Sequence, residues 1–302
     1  MTLLPFFYRL ISVDFSFLEG YYLSINFLSS FSGWFLYIIF FLVFIVKLPI
    51  YFFHIWLPKA HVEAPVYGSI VLAGIILKLG GYGIIRLIIF DTFNSILFYF
   101  FLYSFSILGR FIVTLVSLRQ LDLKILVAYS SVCHMGLSLV GFISFYKCSL
   151  LGSFLIILCH GLVSSCLFYL TNLIYLTCNS RRVILLKGGG NLISVFRMYW
   201  FISIIFNISF PPSLGFFREL FIRIGVLSSV YILIYIIFLI LFFTCLYNIY
   251  IFFIVYHGKK YYFLTNYNVN LLDHFLVFFH LWPVLFFILS FSLYYFCSLS
   301  YL

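Results

Sequence analysis

Charge is what this sequence lacks most: only 8% of its 302 residues are charged, and seven of them are acidic. A soluble domain carries about 25% charged residues, so this chain cannot cover itself with a hydrated surface. Alanine is nearly missing as well, with four in the whole chain against 43 Phe and 25 Tyr. That bias suggests an AT-rich coding genome, such as an organelle's, and membrane insertion after local synthesis. No CxxC pair occurs among the seven cysteines (133, 148, 159, 166, 178, 245 and 297), most of which sit in apolar runs. Metal and disulfide frameworks are therefore set aside in favour of small buried side chains. An Arg-rich leader is missing too, since residues 1–46 hold one basic residue before the lysine at 47, Arg9. Gly188-Gly189-Gly190 has no preceding strand and no Walker lysine, which argues against phosphate binding.

What is there is apolar: 66% of the residues are hydrophobic, in continuous runs such as 35–46 and 230–247. A helix needs about 20 largely apolar residues to cross the hydrocarbon core. Barrel strands would alternate apolar and polar side chains instead. The expected fold is all-α, a polytopic transmembrane helical bundle of about eight spans. They are placed near 33–56, 66–91, 95–118, 124–145, 149–177, 195–223, 227–256 and 274–300, with residues 1–32 an atypical segment, interfacial or a short span. The net charge of +10 is scattered through short loops and forms no stripe, so no nucleic-acid partner is expected. Lys59, Arg119, Lys124, Arg181, Arg182, Lys187, Arg197, Lys259 and Lys260 fall in or beside the odd-numbered connections, and Arg86, Lys147 and Arg223 beside the others. The positive-inside rule puts the odd connections together on the cytoplasmic or matrix side.

Two spans are expected to be broken, the first at Lys47-Leu48-Pro49 and the sixth at Pro211-Pro212. Proline removes a backbone donor, and broken helices often line transporter ion paths. A plain kink is the rival reading, and on proline alone the two stand about even. Lys47 and Lys78 lie deep in apolar runs. Lys78 is placed roughly 20 Å along its span at the helical rise. A central lysine costs roughly 2.5–3.5 kcal/mol on insertion scales, which favours an interior functional site over snorkelling. A lysine whose acidic partner can move away is suited to carry a proton, because desolvation and a counter-ion act on it in opposite senses. Glu219 follows the second proline break, with Arg218 and Arg223 near enough for a structural ion pair. His54, His134 and His160 also fall in helical stretches. Singly each is a structural histidine, and together with two lysines and a glutamate they lean toward a relay.

The run Lys47-Leu-Pro-Ile-Tyr-Phe-Phe-His54-Ile-Trp-Leu-Pro-Lys-Ala-His61-Val-Glu63-Ala-Pro65 resembles the antiporter-like membrane subunits of respiratory complex I, and among them the subunit 4 group. The likeness continues through Leu77-Lys78-Leu-Gly-Gly-Tyr-Gly83, Leu118-Arg-Gln-Leu-Asp-Leu-Lys124, Ala128-Tyr-Ser-Ser-Val-Cys-His134-Met-Gly136, His160-Gly-Leu-Val-Ser-Ser165 and Pro211-Pro-Ser-Leu-Gly-Phe-Phe-Arg-Glu219. The resemblance implies an antiporter-like inverted-repeat architecture over 33–302, with the first repeat incomplete and the second at about 95–256. It implies a proton-transfer chain of Lys47, Lys78, Glu219, His54, His134 and His160. It implies no cofactor in this chain, although the complex as a whole uses NADH, flavin, iron–sulfur clusters and ubiquinone. Expected partners are other membrane-arm subunits, neighbouring antiporter-like subunits, membrane lipids and a separate polypeptide supplying the missing N-terminal helices. The expected place is the mitochondrial inner membrane. The alternatives are a structural membrane-arm subunit that has lost independent pumping, or a fragment of a related antiporter-like subunit.

Overall fold

A computed structural model of the chain describes residues 31–89, 96–188, 195–211, 213–229, 233–258 and 269–299. The atypical segment expected over 1–32 lies outside them, apart from the two residues that open the first helix, and so does Pro212. The described elements are helices: α1 (Phe31–Lys47), α2 (Trp56–Glu63), α3 (Val66–Val71), a π turn (Leu72–Ile76), α4 (Leu77–Ile89), α5 (Ile96–Ser117), α6 (Leu123–Ile143), α7 (Lys147–Cys178), α8 (Phe196–Ile208), α9 (Leu214–Ser229), α10 (Leu233–Tyr256) and α11 (Leu271–Leu299). Five rods are long and apolar enough to cross a membrane: Val66–Ile88, Phe98–Ser117, Leu123–Ile143, Lys147–Cys178 and Tyr235–Tyr256. Tyr37–Lys47, Phe196–Ile208 and Leu271–Phe287 are shorter apolar helices. Each of the eight expected spans falls on one of these.

Both expected breaks are real interruptions. The first helix ends at Lys47 and does not resume until Trp56, with Phe52 at φ 81° between them. The second ends at Ile208, turns through Ser209 at φ 68°, and resumes at Leu214. Positive φ is costly for residues with a Cβ, and in lipid no water is available to the freed backbone groups. The chain therefore closes them locally. Leu48 N donates to Phe44 O at 2.8 Å, and the Trp56 indole donates back to Val46 O at 3.1 Å. At the second break Phe210 N donates to Ile205 O at 3.2 Å and Ser213 N to Phe210 O at 2.8 Å.

Helices α6 and α7 form the centre. Within the candidate spans 89% of the α6 window and 72% of the α7 window are buried, against 33% for Tyr235–Tyr256. The α10 helix accordingly shows Phe238, Phe242 and Phe253 on its outer side, while Ile240, Tyr247 and Ile251 face inward. Small residues let the central helices approach, as membrane bundles require. A Cβ on Gly152 of α7 would come within 2.7 Å of Arg218 O on α9, and one on Gly225 of α9 within 2.7 Å of Ser149 Cβ.

The described parts of the four odd-numbered connections gather at one end of the bundle. Lys124 Nζ donates to Ala64 O at 2.9 Å and Arg181 to Val62 O at 3.0 Å, so two cations close the carboxyl end of α2. Asp122 and Arg182 pair as a single antiparallel bridge, and Gly188 N donates to Ile254 O at 3.3 Å.

Gly80 is where α4 touches the first break: an added Cβ would lie 2.8 Å from Leu48 N and 3.1 Å from Lys47 C, both backbone atoms. Gly74 has nothing within 4 Å of the same position. We expect Gly80→Ala to destabilise the bundle by about 1–3 kcal/mol, and Gly74→Ala to leave it unchanged or slightly firmer through higher helix propensity. Melting of the two variants in lipid nanodiscs checks this, and equal melting would contradict the proposed contact.

Candidate functional site

The π turn sits one residue ahead of Lys78. Inserted π turns are frequent at functional sites. Here the Lys78 ammonium donates to Ala73 O inside the turn. Opposite it, α7 presents Gly161, where a Cβ would stand 3.0 Å from Lys78 Cε and 3.6 Å from Nζ. Glycine at 161 thus leaves room for the lysine side chain between α4 and α7.

One turn-face away, His160 on α7 meets His134 on α6, with ring centroids 5.1 Å apart and planes at 40°. Each ring is 1% exposed. Asn207 lies beside His134, yet no ring nitrogen of either histidine makes a hydrogen bond of normal geometry among the described residues. The serines around them behave differently: Ser130, Ser131 and Ser138 bond the carbonyl three residues back at 2.6–2.7 Å and so satisfy themselves. Buried polar groups are nearly always partnered, so two imidazoles whose one polar neighbour is Asn207 beside His134 stand out. Lys78 and Arg218 both interact electrostatically with His160 and His134. Half-buried Lys78 and buried His160 and His134 therefore form one polar group running from α4 through α7 to α6.

Glu219 anchors a second group behind it. The Arg223 guanidinium donates to its carboxylate at 2.5 Å, and Ser209 Oγ donates to the other oxygen at 2.9 Å. Arg218 reaches the same Ser209 hydroxyl at 3.2 Å. The structural ion pair that the sequence left open is thus formed, and the residue in positive φ at the second break supplies the bridge. Asn207 on α8 and Asn248 on α10, both buried, bond each other at 2.7 Å beside this cluster.

Two predicted residues stand apart. Lys47 is exposed on the outside of the described bundle, its ammonium 5.8 Å from the Phe44 ring centroid. His54, in the first break, is buried but stacks on Tyr51 with centroids 5.5 Å apart and lies near Tyr129. The structure brings Lys78, His134 and His160 together, places Glu219 on the next helix, and leaves Lys47 and His54 outside. Sequence reasoning passed over Arg110, which is 4% exposed in the middle of α5. The signal was present, since an arginine inside an apolar run is a functional candidate by default.

The comparisons with known proteins follow this geometry. The chain matches the family described as NADH:quinone oxidoreductase/Mrp antiporter, TM, over residues 7–246, and it belongs to that family. Among curated proteins it is 40% identical to NADH-ubiquinone oxidoreductase chain 4 of Apis mellifera ligustica over 241 residues, which covers 80% of this chain and 54% of the relative. It is 41% identical to the same-named protein of Locusta migratoria over 260 residues, covering 85% of this chain and 58% of the relative. The chain thus spans about half the length of the curated relatives it matches. In fold it is similar to a chain of respiratory complex I from Thermus thermophilus with bound NADH, at TM-score 0.74 and 19% identity over 82% of this chain and 53% of that one. It is also similar to a chain of the Mrp complex from Dietzia sp. DQ12-45-1b, at TM-score 0.70 and 19% identity over 77% of this chain and 44% of that one.

His61, on α2 at the basic end, stacks on Phe168 with centroids 4.2 Å apart and planes at 11°. Burial first, then the Lys124 and Lys78 charges, pull its proton affinity down to about 3. The unfolded chain would titrate near 6.5, so between those values the unfolded state binds the extra proton. Stability should therefore fall as pH drops below about 6.5. We expect His61→Phe to flatten part of that fall, read as melting temperature against pH; an unchanged slope would contradict the assignment.

Proposed function

We propose that the chain is a proton-translocating membrane-arm subunit of respiratory complex I, NADH:ubiquinone oxidoreductase, in the mitochondrial inner membrane. The observation that carries this reading is the polar group made by half-buried Lys78 with buried His160 and His134 at the centre of the bundle. Intramembrane ionisable groups are costly and are kept for work. Membership of the NADH:quinone oxidoreductase/Mrp antiporter family and the chain 4 relatives supply the wider setting. In this reading Lys78 and the two histidines pass protons, and Glu219 with Arg223 adjoins the path toward a neighbouring antiporter-like subunit. The chain itself holds no cofactor; NADH, flavin, iron–sulfur clusters and ubiquinone belong to other subunits of the complex. Lys47, exposed at the end of α1, is the point at which a carboxylate from a separate polypeptide or from another part of the membrane arm would complete the path.

The exposed position of Lys47 also favours a second reading. A path that stops short of Lys47 inside this chain suits a structural subunit that bridges its neighbours without pumping independently.

Lys78→Ala separates the two. In the pumping reading the variant complex loses proton translocation and coupled NADH oxidation together, on the order of tenfold for one lost interaction of about 1.4 kcal/mol in the transition state. An unchanged proton-to-electron ratio with normal assembly would leave the structural reading standing. Orientation has its own test. The connection between α7 and α8 should resist protease added from the intermembrane side of mitoplasts, and cleavage there would reverse the proposed topology.

A further inference from the structure

A cleft of about 60 Å³ lies at the basic end of the bundle, between the α2–α3 junction, the start of α6 and the last turns of α7. Lys124, Arg181, Ser180, Asn172, Thr171 and Tyr175 supply its polar lining. At roughly 10–15 Å³ for each water-sized site, the space takes a phosphate group. Its two cations are held in place with donors to spare. Arg181 donates to Val62 O at 3.0 Å and lies over the Tyr175 ring at 4.8 Å, and Lys124 donates to Ala64 O at 2.9 Å. Both acceptors are carbonyls, which bond a cation without cancelling its charge. A guanidinium and an ammonium each carry several further N–H groups. Ser180 Oγ, shielded from solvent, meets no partner among the described residues. The amino end of α6 adds its dipole, since Leu123 lines the cleft and Asp122 ahead of it makes no capping bond.

No acid faces these cations in the cleft. Among the described residues the ion pair is that of Arg223 with Glu219, in a different part of the bundle. Glu63 is exposed, and Asp122 stands outside the lining. Residues 189–194 and 259–268, in the odd-numbered connections but outside the described set, contain no Asp or Glu. Asp14 and Glu19 lie outside the described residues as well.

Depth decides what kind of anion meets the cleft. The α7 helix has 32 residues, about 48 Å at the helical rise, against a hydrocarbon core of about 30 Å. An overhang shared between the two ends is about 9 Å at each. Asn172 stands about 9 Å before the end of the helix at Cys178, so the cleft lies at the level of lipid headgroups. Ile184 and Leu185, beside the lining residue Leu186, are exposed apolar side chains at the same end.

We propose that this cleft binds a phosphate group, presented by an anionic phospholipid of the leaflet at the basic end. Arg181 takes two phosphate oxygens through paired N–H donors, Lys124 supplies a point charge, and the Ser180 hydroxyl completes the set. The bound headgroup ties α6, α7 and the connection after α7 to the α2–α3 junction. The inference is independent of proton transfer, because none of these residues belongs to the Lys78–His160–His134 group.

The test melts the full chain in nanodiscs of three kinds at equal ionic strength: phosphatidylcholine alone, phosphatidylcholine with phosphatidylglycerol, and phosphatidylcholine with inorganic phosphate in the buffer. Phosphatidylcholine carries its own cation and is the reference. A ligand that binds the folded state raises the melting point by mass action, so phosphatidylglycerol should raise it by about 2–4 °C over the reference. Arg181→Gln should lose at least half of that difference. So should Ser180→Leu, which narrows the cleft and keeps both cations. Arg182→Gln, an exposed arginine outside the lining, should keep all of it. The same rise with inorganic phosphate, lost in the same two variants, supports the site with a soluble phosphate as its occupant. Equal melting of the unaltered chain in all three overturns the proposal. So does a phosphatidylglycerol effect undiminished in Ser180→Leu, which is attraction to a charged surface without a site.

Discussion

In lipid a freed carbonyl or amide has no water to turn to, so the two helix interruptions must close their own hydrogen bonds before anything else in the bundle can form. The chain does this with tight local returns at Leu48 and Phe210 and with the Trp56 indole reaching back to Val46. The price is two side-chain-bearing residues in left-handed backbone, Phe52 and Ser209. Ser209 then does a second task, since its hydroxyl joins Arg218 to Glu219. A break that must satisfy its backbone thus also fixes the charged cluster. The first break is held differently, by close contact with α4 through Gly80.

Position of the polar groups follows from how closely the central helices approach. Gly161 opens the space that Lys78 occupies, and Gly152 and Gly225 draw α7 and α9 together so that Arg218 and Glu219 are buried. The π turn ahead of Lys78 belongs to the same economy. It gives the ammonium a carbonyl within its own helix while leaving the charge aimed at α7. Small residues and one irregular turn therefore do for this bundle what hydrophobic burial does in a soluble core, where association is driven by water and not by fit.

The distribution of unsatisfied groups separates structural polarity from functional polarity. Serines on α6 bond their own backbone, and Asn207 and Asn248 bond each other, so these residues are at rest. The histidines and Arg110 are not. In the proposed reading His134 and His160 serve as a relay, while Arg110 lies in the field of Glu219 and Arg218 bonds the Ser209 hydroxyl. Both features occupy the contact region of α5, α6, α7 and α9, which is also the best buried part of the bundle.

Composition and periodicity by themselves determined the membrane class, the eight apolar spans and both interruptions. Each of these is a local property: run length, proline position and loop charge act within one segment, so they are legible without neighbours. The common side of the odd connections was legible for the same reason. Which ionisable residues meet was another matter. Lys47 and Lys78 looked alike along the sequence, both lysines deep in apolar runs, yet one faces outward at the end of α1 and the other enters a gap made by Gly161 on a helix some eighty residues away. His54 and His134 were equally similar until stacking on Tyr51 separated the first from the pair formed by the second. Helix rotation and the placing of glycine across an interface decide such contacts, and neither is written in the segment that carries the charge.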